Sequence, residues 1–245
     1  FFPKGGLAPV EWDSIIRKAF GKKTRMVFNR FFPSKKNQVT LLTLERDGEE
    51  FQVMSKFFVW GDECVEWDVL CKAYKAGVNV PEPVKKIDNV IFTKYVSGIT
   101  LRDILYRDKN SVNLVPFIKW LADFHASFTD EKGYVILKGD TMPPNFILSD
   151  IDNKIYGIDF EESGQGKPVD DLGSFIAAVL CAKNVPEDAK ALINKLRSAY
   201  CTRSKIKLTQ EELIYSILSS LDKFTSYMPN RVENIKEIRD HLKEK

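Results

Sequence analysis

The chain is short of the residues on which most metal and nucleophile chemistry depends. It has two histidines, His125 and His241, so a histidine-built metal centre or a Ser-His-Asp triad is close to excluded. Its four cysteines, Cys64, Cys71, Cys181 and Cys201, show no metal-ligand spacing and no paired framework, as expected of a reduced, cytoplasmic protein. No apolar run reaches the roughly eighteen residues of a membrane-spanning helix, so no membrane partner is expected. Internal repeats and low-complexity linkers are absent as well. A net charge of +3 is too small to argue for a nucleic-acid surface. The basic clusters Lys22-Lys23-Thr24-Arg25 and Arg203-Ser204-Lys205-Ile206-Lys207 read as solvated faces. The chain opens Phe1-Phe2-Pro3-Lys4 without a methionine, which points to missing or removed residues rather than a signal peptide.

What is present is ordinary globular material, 44% hydrophobic and 29% charged over 245 residues, enough for a substantial core in one or two domains. Two acidic segments stand out. The first reads Lys138-Gly139-Asp140-Thr141-Met142-Pro143-Pro144-Asn145-Phe146, and the second Ile155-Tyr156-Gly157-Ile158-Asp159-Phe160-Glu161. Phosphoryl transfer from a nucleotide needs such a set: one carboxylate to take the acceptor's proton, and an amide oxygen and a second carboxylate to hold a metal on the phosphates. Those oxygens suit a hard divalent cation such as Mg2+. Asp and Asn are also common in turns, and Asp150-Ile151-Asp152-Asn153, between two apolar runs, is read as a plain hairpin turn. Asp140, Asn145 and Asp159 flank that hairpin in the order the chemistry requires.

Upstream, 38–45 and 50–58 read as strands joined by the turn Arg46-Asp47-Gly48-Glu49. The second places Lys56 in an apolar stretch, where an ammonium must find a partner or snorkel to water. Glu66 follows in a helical stretch, on one face with Val69, Leu70 and Ala73. A Lys56–Glu66 ion pair is therefore expected, with Glu63 as the substitute partner. The bland alternative is that Glu66 only favours the positive end of the helix dipole.

These stretches resemble the protein-kinase-like superfamily. The likeness is to its compact branch of aminoglycoside phosphotransferases, choline and ethanolamine kinases, and the small kinase of the tRNA threonylcarbamoyl-adenosine complex. It covers about residues 25 to 180: Lys56, the helix from Glu66 to the loop at Pro81 and Pro83, the segment Phe92-Thr93-Lys94-Tyr95-Val96-Ser97-Gly98, Leu121-Ala122-Asp123-Phe124-His125, and the two acidic loops. The resemblance implies an α+β, two-lobed fold, with a nucleotide-binding lobe over 1–96 and a mainly helical catalytic and acceptor-binding lobe over 97–245. It implies Asp140 as base, Asn145 and Asp159 on magnesium, Lys56 braced by Glu66 on the phosphates, and the backbone of Lys94 and Val96 against the adenine. It implies Asp171 as a brace for the catalytic loop from a helix start. His125 is expected to pack within its helix.

Two departures matter. The family's His-Gly-Asp is here Lys138-Gly139-Asp140, which adds a positive charge beside the base. No glycine-rich turn joins the first strands, so Ser34, Lys35 and Lys36 would have to serve as phosphate contacts unless the segment is a solvated basic turn. The stretch from Asp159 to Asp171 is too short for a regulated activation segment and a peptide groove. It favours a small-molecule hydroxyl acceptor, with ATP or GTP as donor and Mg2+ as the metal. Glu161, Glu162 and Asp170 would line the acceptor pocket and attract amines. Two alternatives stay open: an atypical protein kinase or tRNA-modification-type kinase, and a pseudokinase acting as a binding module.

Helices are expected over 9–20, 62–76, 100–107, 112–128, 171–182, 187–202, 209–227 and 231–244, with Pro186-Glu187, Thr209-Gln210-Glu211-Glu212 and Pro229-Asn230 marking starts and breaks.

Overall fold

The computed structural model describes residues 10–34, 36–107, 112–182 and 189–243. Lys35 and the Pro186-Glu187 helix start lie outside the described residues. The chain begins with helix α1 (Trp12–Phe20) and strands β1 (Arg25–Phe32), β2 (Gln38–Arg46) and β3 (Glu49–Phe57). Arg46 pairs with Glu49, so Asp47 and Gly48 form a two-residue turn, both at positive φ (54° and 87°), as a tight hairpin requires. Helix α2 (Glu63–Lys75) follows, capped by Asp62, whose carboxylate accepts the Cys64 and Val65 amides. Its buried face is Glu66, Val69, Leu70 and Ala73, the stripe that the helical spacing anticipated.

The chain then returns to the sheet as β4 (Pro83–Ile87) and β5 (Val90–Lys94), completing an antiparallel sheet of order β1-β2-β3-β5-β4. The resemblance implies only a loop at Pro81 and Pro83 before the sheet resumes, and no strand is expected at 83–87. That segment becomes an edge strand because β5 offers a free ladder and Pro83 sits at the strand start, where a missing N–H is tolerated. Helix α1 covers the sheet, with Trp12 and Ile16 packed against Leu42, Leu44, Val53 and Phe92.

Beyond residue 97 come β6 (Gly98–Thr100), α3 (Leu101–Arg107), α4 (Val115–Ala126) and β7 (Val135–Leu137). A 3-10 turn over Pro143–Asn145 leads into the hairpin β8 (Phe146–Ser149) and β9 (Ile155–Gly157), whose turn holds Asp150 to Asn153 as expected. Then come β10 (Gly164–Gly166), α5 (Pro168–Ala182), α6 (Ala189–Ser204), α7 (Gln210–Tyr227) and α8 (Val232–Lys243). Pro168 opens α5 earlier than the expected 171, since its fixed φ suits a first helical turn. Thr209 and Glu212 form a capping box at the start of α7. Helix α5 is buried along almost its whole length between α4 and α7, so a continuous apolar run here is an interior helix.

The result is an α+β, two-lobed architecture: a strand-rich N-terminal part and a helix-rich C-terminal part. The larger hydrophobic core runs across both, from Phe58, Leu70 and Val80 to Leu121, Phe146 and Phe175. A second tie sits beside it. The Asn79 carbonyl accepts both the Trp120 indole N–H (2.7 Å) and the Gly157 amide (3.2 Å). Gly157 lies against the Trp120 ring so closely that a Cβ would come within 2.2 Å of it. Gly157→Ala is therefore expected to destabilise the protein by about 1–3 kcal/mol, the range for overpacking a core. Chemical denaturation of the purified variant measures it.

Candidate active site

Four segments meet where the sheet faces the helical part. Lys56, on β3, turns its ammonium among three carboxylates: Glu66 Oε2 at 2.6 Å, Asp159 Oδ1 at 2.5 Å and Glu161 Oε2 at 2.9 Å. The Lys56–Glu66 pair forms as the apolar stripe of α2 implied; Glu63 instead lies 3.8 Å from Lys86. Burial works against the Lys56 ammonium, but the charges of Glu66 and Asp159 outweigh it and hold its pKa above the ordinary lysine range. Glu66 is the most deeply buried of the acids. Burial pushes its pKa up, and the Lys56 charge offsets this only in part. For Asp159, burial raises and Lys56 lowers, and the lysine wins, so its carboxylate is held below its usual range. Asp159 itself has a left-handed backbone, φ 65°.

Facing this cluster is the loop after β7. Asp171, in the first turn of α5, accepts the backbone amides of Lys138 (2.6 Å) and Gly139 (3.1 Å) on its two carboxylate oxygens. Behind it His125 Nε2 lies 3.0 Å from Asp171 Oδ2, and His125 Nδ1 lies 2.6 Å from the Tyr200 hydroxyl. An Nε2–H donating to the carboxylate, with Nδ1 accepting the tyrosine proton, fits this network. His125 thus does more than fill its helix interface: it bridges α6 to the loop's anchor. Gly139 has φ +84°, and a Cβ there would meet the Glu162 carbonyl at 2.1 Å, so only glycine fits beside Asp140.

Asp140 Oδ1 accepts the Met142 amide at 3.1 Å. Asn145 donates its Nδ2 to the Asp140 carbonyl at 3.3 Å, which leaves the Asn145 Oδ1 as the oxygen free for a ligand. Asp159 uses Oδ1 on Lys56, and no donor among the described residues bonds its Oδ2. Two hard oxygens of this kind suit a hard divalent cation that keeps most of its waters.

Lys138 does bring its charge next to Asp140, and does so by turning inward. Its side chain is completely buried, and the ammonium donates to two backbone carbonyls, Asp140 O (2.7 Å) and Asp159 O (3.0 Å), over the rings of Phe160 and Phe146. Burial pushes its pKa down.

The remaining candidates are placed as follows. Lys94 closes β5, with its N–H on the Glu82 carbonyl (2.9 Å), and Val96 is half-buried in the linker that follows. Ser34 accepts the Asn37 amide on its hydroxyl. Lys36 pairs with Glu162 at 2.6 Å, and Glu161 is taken up by Lys56 and by Asn37 Nδ2 (2.6 Å). Asp170 is exposed at the start of α5. The three acids grouped for the acceptor are therefore not one free anionic cluster, because two of them already hold cations from the β1–β2 loop and β3. Asn37 was missed entirely by the sequence reading. It is 5% exposed, and its Oδ1 also accepts the Val59 and Trp60 amides, tying the loop to the segment before α2. An asparagine closing a loop carries no signal that sets it apart from a turn residue.

No family model and no curated protein matches the chain. Solved structures do. It is similar to a choline/ethanolamine kinase family protein from Mesorhizobium loti, at 14% identity and TM-score 0.62, over 95% of this chain and 91% of that one. It is similar to an amicoumacin kinase in complex with AMP-PNP and Ca2+, at 13% identity and TM-score 0.63, over 95% and 94%. A spectinomycin phosphotransferase in complex with ADP and spectinomycin aligns at 9% identity and TM-score 0.58, over 95% of both chains. The chain thus shares the fold of these kinases and of this phosphotransferase.

Lys56→Met removes the single cation shared by three acids. With Asp159 about a third exposed, the expected loss is roughly 2 kcal/mol, short of the 3–5 kcal/mol for breaking a fully buried pair. Without the ammonium, Glu66 and Asp159 hold folded-state pKa values above their unfolded ones. The folded form then binds protons more tightly, so the variant regains stability as pH falls from about 7 to about 5. Melting curves across that range, beside the parent protein, test both points.

Proposed function

We propose that the chain is a phosphotransferase that moves the terminal phosphate of a magnesium-bound nucleotide to a hydroxyl of a small molecule. The observation that carries this reading is the Lys56 ammonium held by Glu66 and Asp159, opposite a loop presenting Asp140 and Asn145. In this reading residues 1–96 carry the nucleotide and residues 97–245 the catalytic loop and the acceptor. Lys56 contacts the phosphates. Glu66 keeps it in place from α2, and the backbone at Lys94 and Val96 meets the adenine. Asn145 and Asp159 hold the metal, which supplies charge neutralisation on the phosphate oxygens. Asp140 orients the acceptor hydroxyl and takes its proton, while Asp171 keeps the loop's amides in register. A donor reaching Lys56 must displace at least one of its three carboxylates. Glu161 is the one that can be spared, since Glu66 braces the lysine and Asp159 turns to the metal.

The acceptor is a small molecule rather than a peptide in this reading, because β10 pairs with β7 and leaves no free segment between Asp159 and Asp171 to form a docking groove. The neighbours named above act on choline, ethanolamine or antibiotics by their names, and this chain's acceptor falls in the same broad class of hydroxyl compounds. Because Glu162 and Glu161 are already paired with Lys36 and Lys56, the structure lends an amine-bearing acceptor no special support. A second reading, a nucleotide-binding module without transfer, is favoured by one observation: the glycine-poor loop is bonded to Glu161 and Glu162 across the place where phosphates would enter.

A thermal-shift series with ATP, GTP and ADP, with and without magnesium, tests nucleotide binding without knowledge of the acceptor. Magnesium-dependent stabilisation is expected, and no shift at millimolar nucleotide would sink the proposal. With an acceptor in hand, Asp140→Asn should lower kcat by about 10²–10⁴-fold and leave nucleotide affinity nearly unchanged. Asp159→Asn should weaken magnesium-nucleotide binding by roughly tenfold or more. Equal losses in both measurements for both variants would contradict the assigned roles.

A further inference from the structure

Lys138 presents a physical problem of its own. A lysine with no exposed surface must satisfy its ammonium internally, because an unpaired buried charge is strongly unfavourable. Among the described residues no carboxylate forms an ion pair with it. Its Nζ instead donates to the carbonyls of Asp140 (2.7 Å) and Asp159 (3.0 Å), and lies 5.3 Å from the Phe160 ring centre and 5.6 Å from that of Phe146. Two hydrogen bonds and two aromatic faces make up its surroundings. The Asp140 carbonyl is shared: Asn145 Nδ2 donates to the same oxygen at 3.3 Å. The Ile158 amide in turn donates to the Asn145 carbonyl at 3.0 Å. One flexible side chain therefore joins, through backbone oxygens, the residue read as the base and both residues read as metal ligands.

The geometry points to Lys138 as the positioning residue that fixes the spacing of Asn145 and Asp159, so that their side-chain oxygens form one divalent-cation site. This rests on the phosphotransferase reading above. The lysine touches neither nucleotide nor metal; it acts by holding the two loops that carry the ligands. An imidazole at this position could give at most two donors in one plane, and would sit shorter and flatter than an ammonium on a four-carbon stem. The lysine reaches two carbonyls belonging to different loops, which is the property the site needs.

The test is calorimetric binding of ADP to the full chain, in magnesium and in excess chelator, for the parent protein, Lys138→Met and Lys138→Gln. Methionine keeps length and apolar contact but removes both donors. Glutamine restores one donor group. The deciding quantity is the ratio of the Kd without magnesium to the Kd with it. The expected result is a parent ratio of about tenfold or more, a Lys138→Met ratio reduced roughly tenfold with chelator affinity nearly unchanged, and partial recovery in Lys138→Gln. A purely structural role would weaken binding equally in both buffers and leave the ratio alone, which overturns the proposal. Loss of fold in both variants, read by near-ultraviolet circular dichroism, assigns the lysine to stability and overturns it too. A parent protein without magnesium-dependent binding defeats the phosphotransferase reading itself, before any variant is compared.

Discussion

One ammonium shared by three carboxylates organises the cleft. Lys56 is supplied by the sheet, Glu66 by the single helix between its strands, and Asp159 and Glu161 by the loop after the β8–β9 hairpin. No single element could hold such a group of acids, since each carboxylate raises the cost of the others in a partly dry site. The lysine makes their proximity tolerable, and in doing so joins the strand-rich part to the helical part at the point where a nucleotide would lie. The excess negative charge left over is itself informative. A site with more carboxylates than cations is poised to accept further positive charge, and a divalent ion arriving with phosphates supplies it.

The loop after β7 is organised by the opposite arrangement, a buried acid serving backbone donors. Asp171 accepts two loop amides and is backed by His125 and Tyr200, so its charge is met entirely by hydrogen bonds. The loop's backbone is thereby drawn onto the start of α5. Gly139 lets the chain pass under Glu162 without a clash, and Lys138 turns inward beneath the same bend. Backbone contacts fix the bend that carries Asp140, and the Met142 amide on its Oδ1 orients the carboxylate, an arrangement that suits the base proposed here.

The region most unlike the resembling families is the loop between β1 and β2. Where glycines would let amides wrap phosphate, this chain uses Asn37 to fasten the loop to the segment before α2 and to Glu161. Lys36 adds an ion pair to Glu162. The loop thus gains order from side-chain bonds instead of from backbone freedom, and the phosphates of a nucleotide would compete with Glu161 and Glu162 for Lys56 and Lys36.

Much of the site was legible in one dimension, for stated reasons. A lysine in an apolar strand must be paired, and an acid on the apolar stripe of a helix needs a cation, so Lys56 and Glu66 could be matched before any coordinates. The Asp47-Gly48 turn, the Thr209 capping box and the hairpin after Asn145 were likewise local features with short-range signals. Strand β4 was not, because an edge strand rich in lysine and proline is decided by the ladder beside it rather than by its own residues. Asn37, Tyr200 and the inward turn of Lys138 were illegible for the same reason: each finds its partner across more than twenty residues of chain or in another element, and hydrogen-bond direction leaves no trace in spacing. Local signals in the chain were enough for most helices, the β2–β3 hairpin and the charged residues that could not be left alone. Which of those charges meet, and which oxygens remain open to a metal, followed from folding in three dimensions, because that depends on how close the packed loops and helices bring groups whose separation along the chain says nothing of their distance in space.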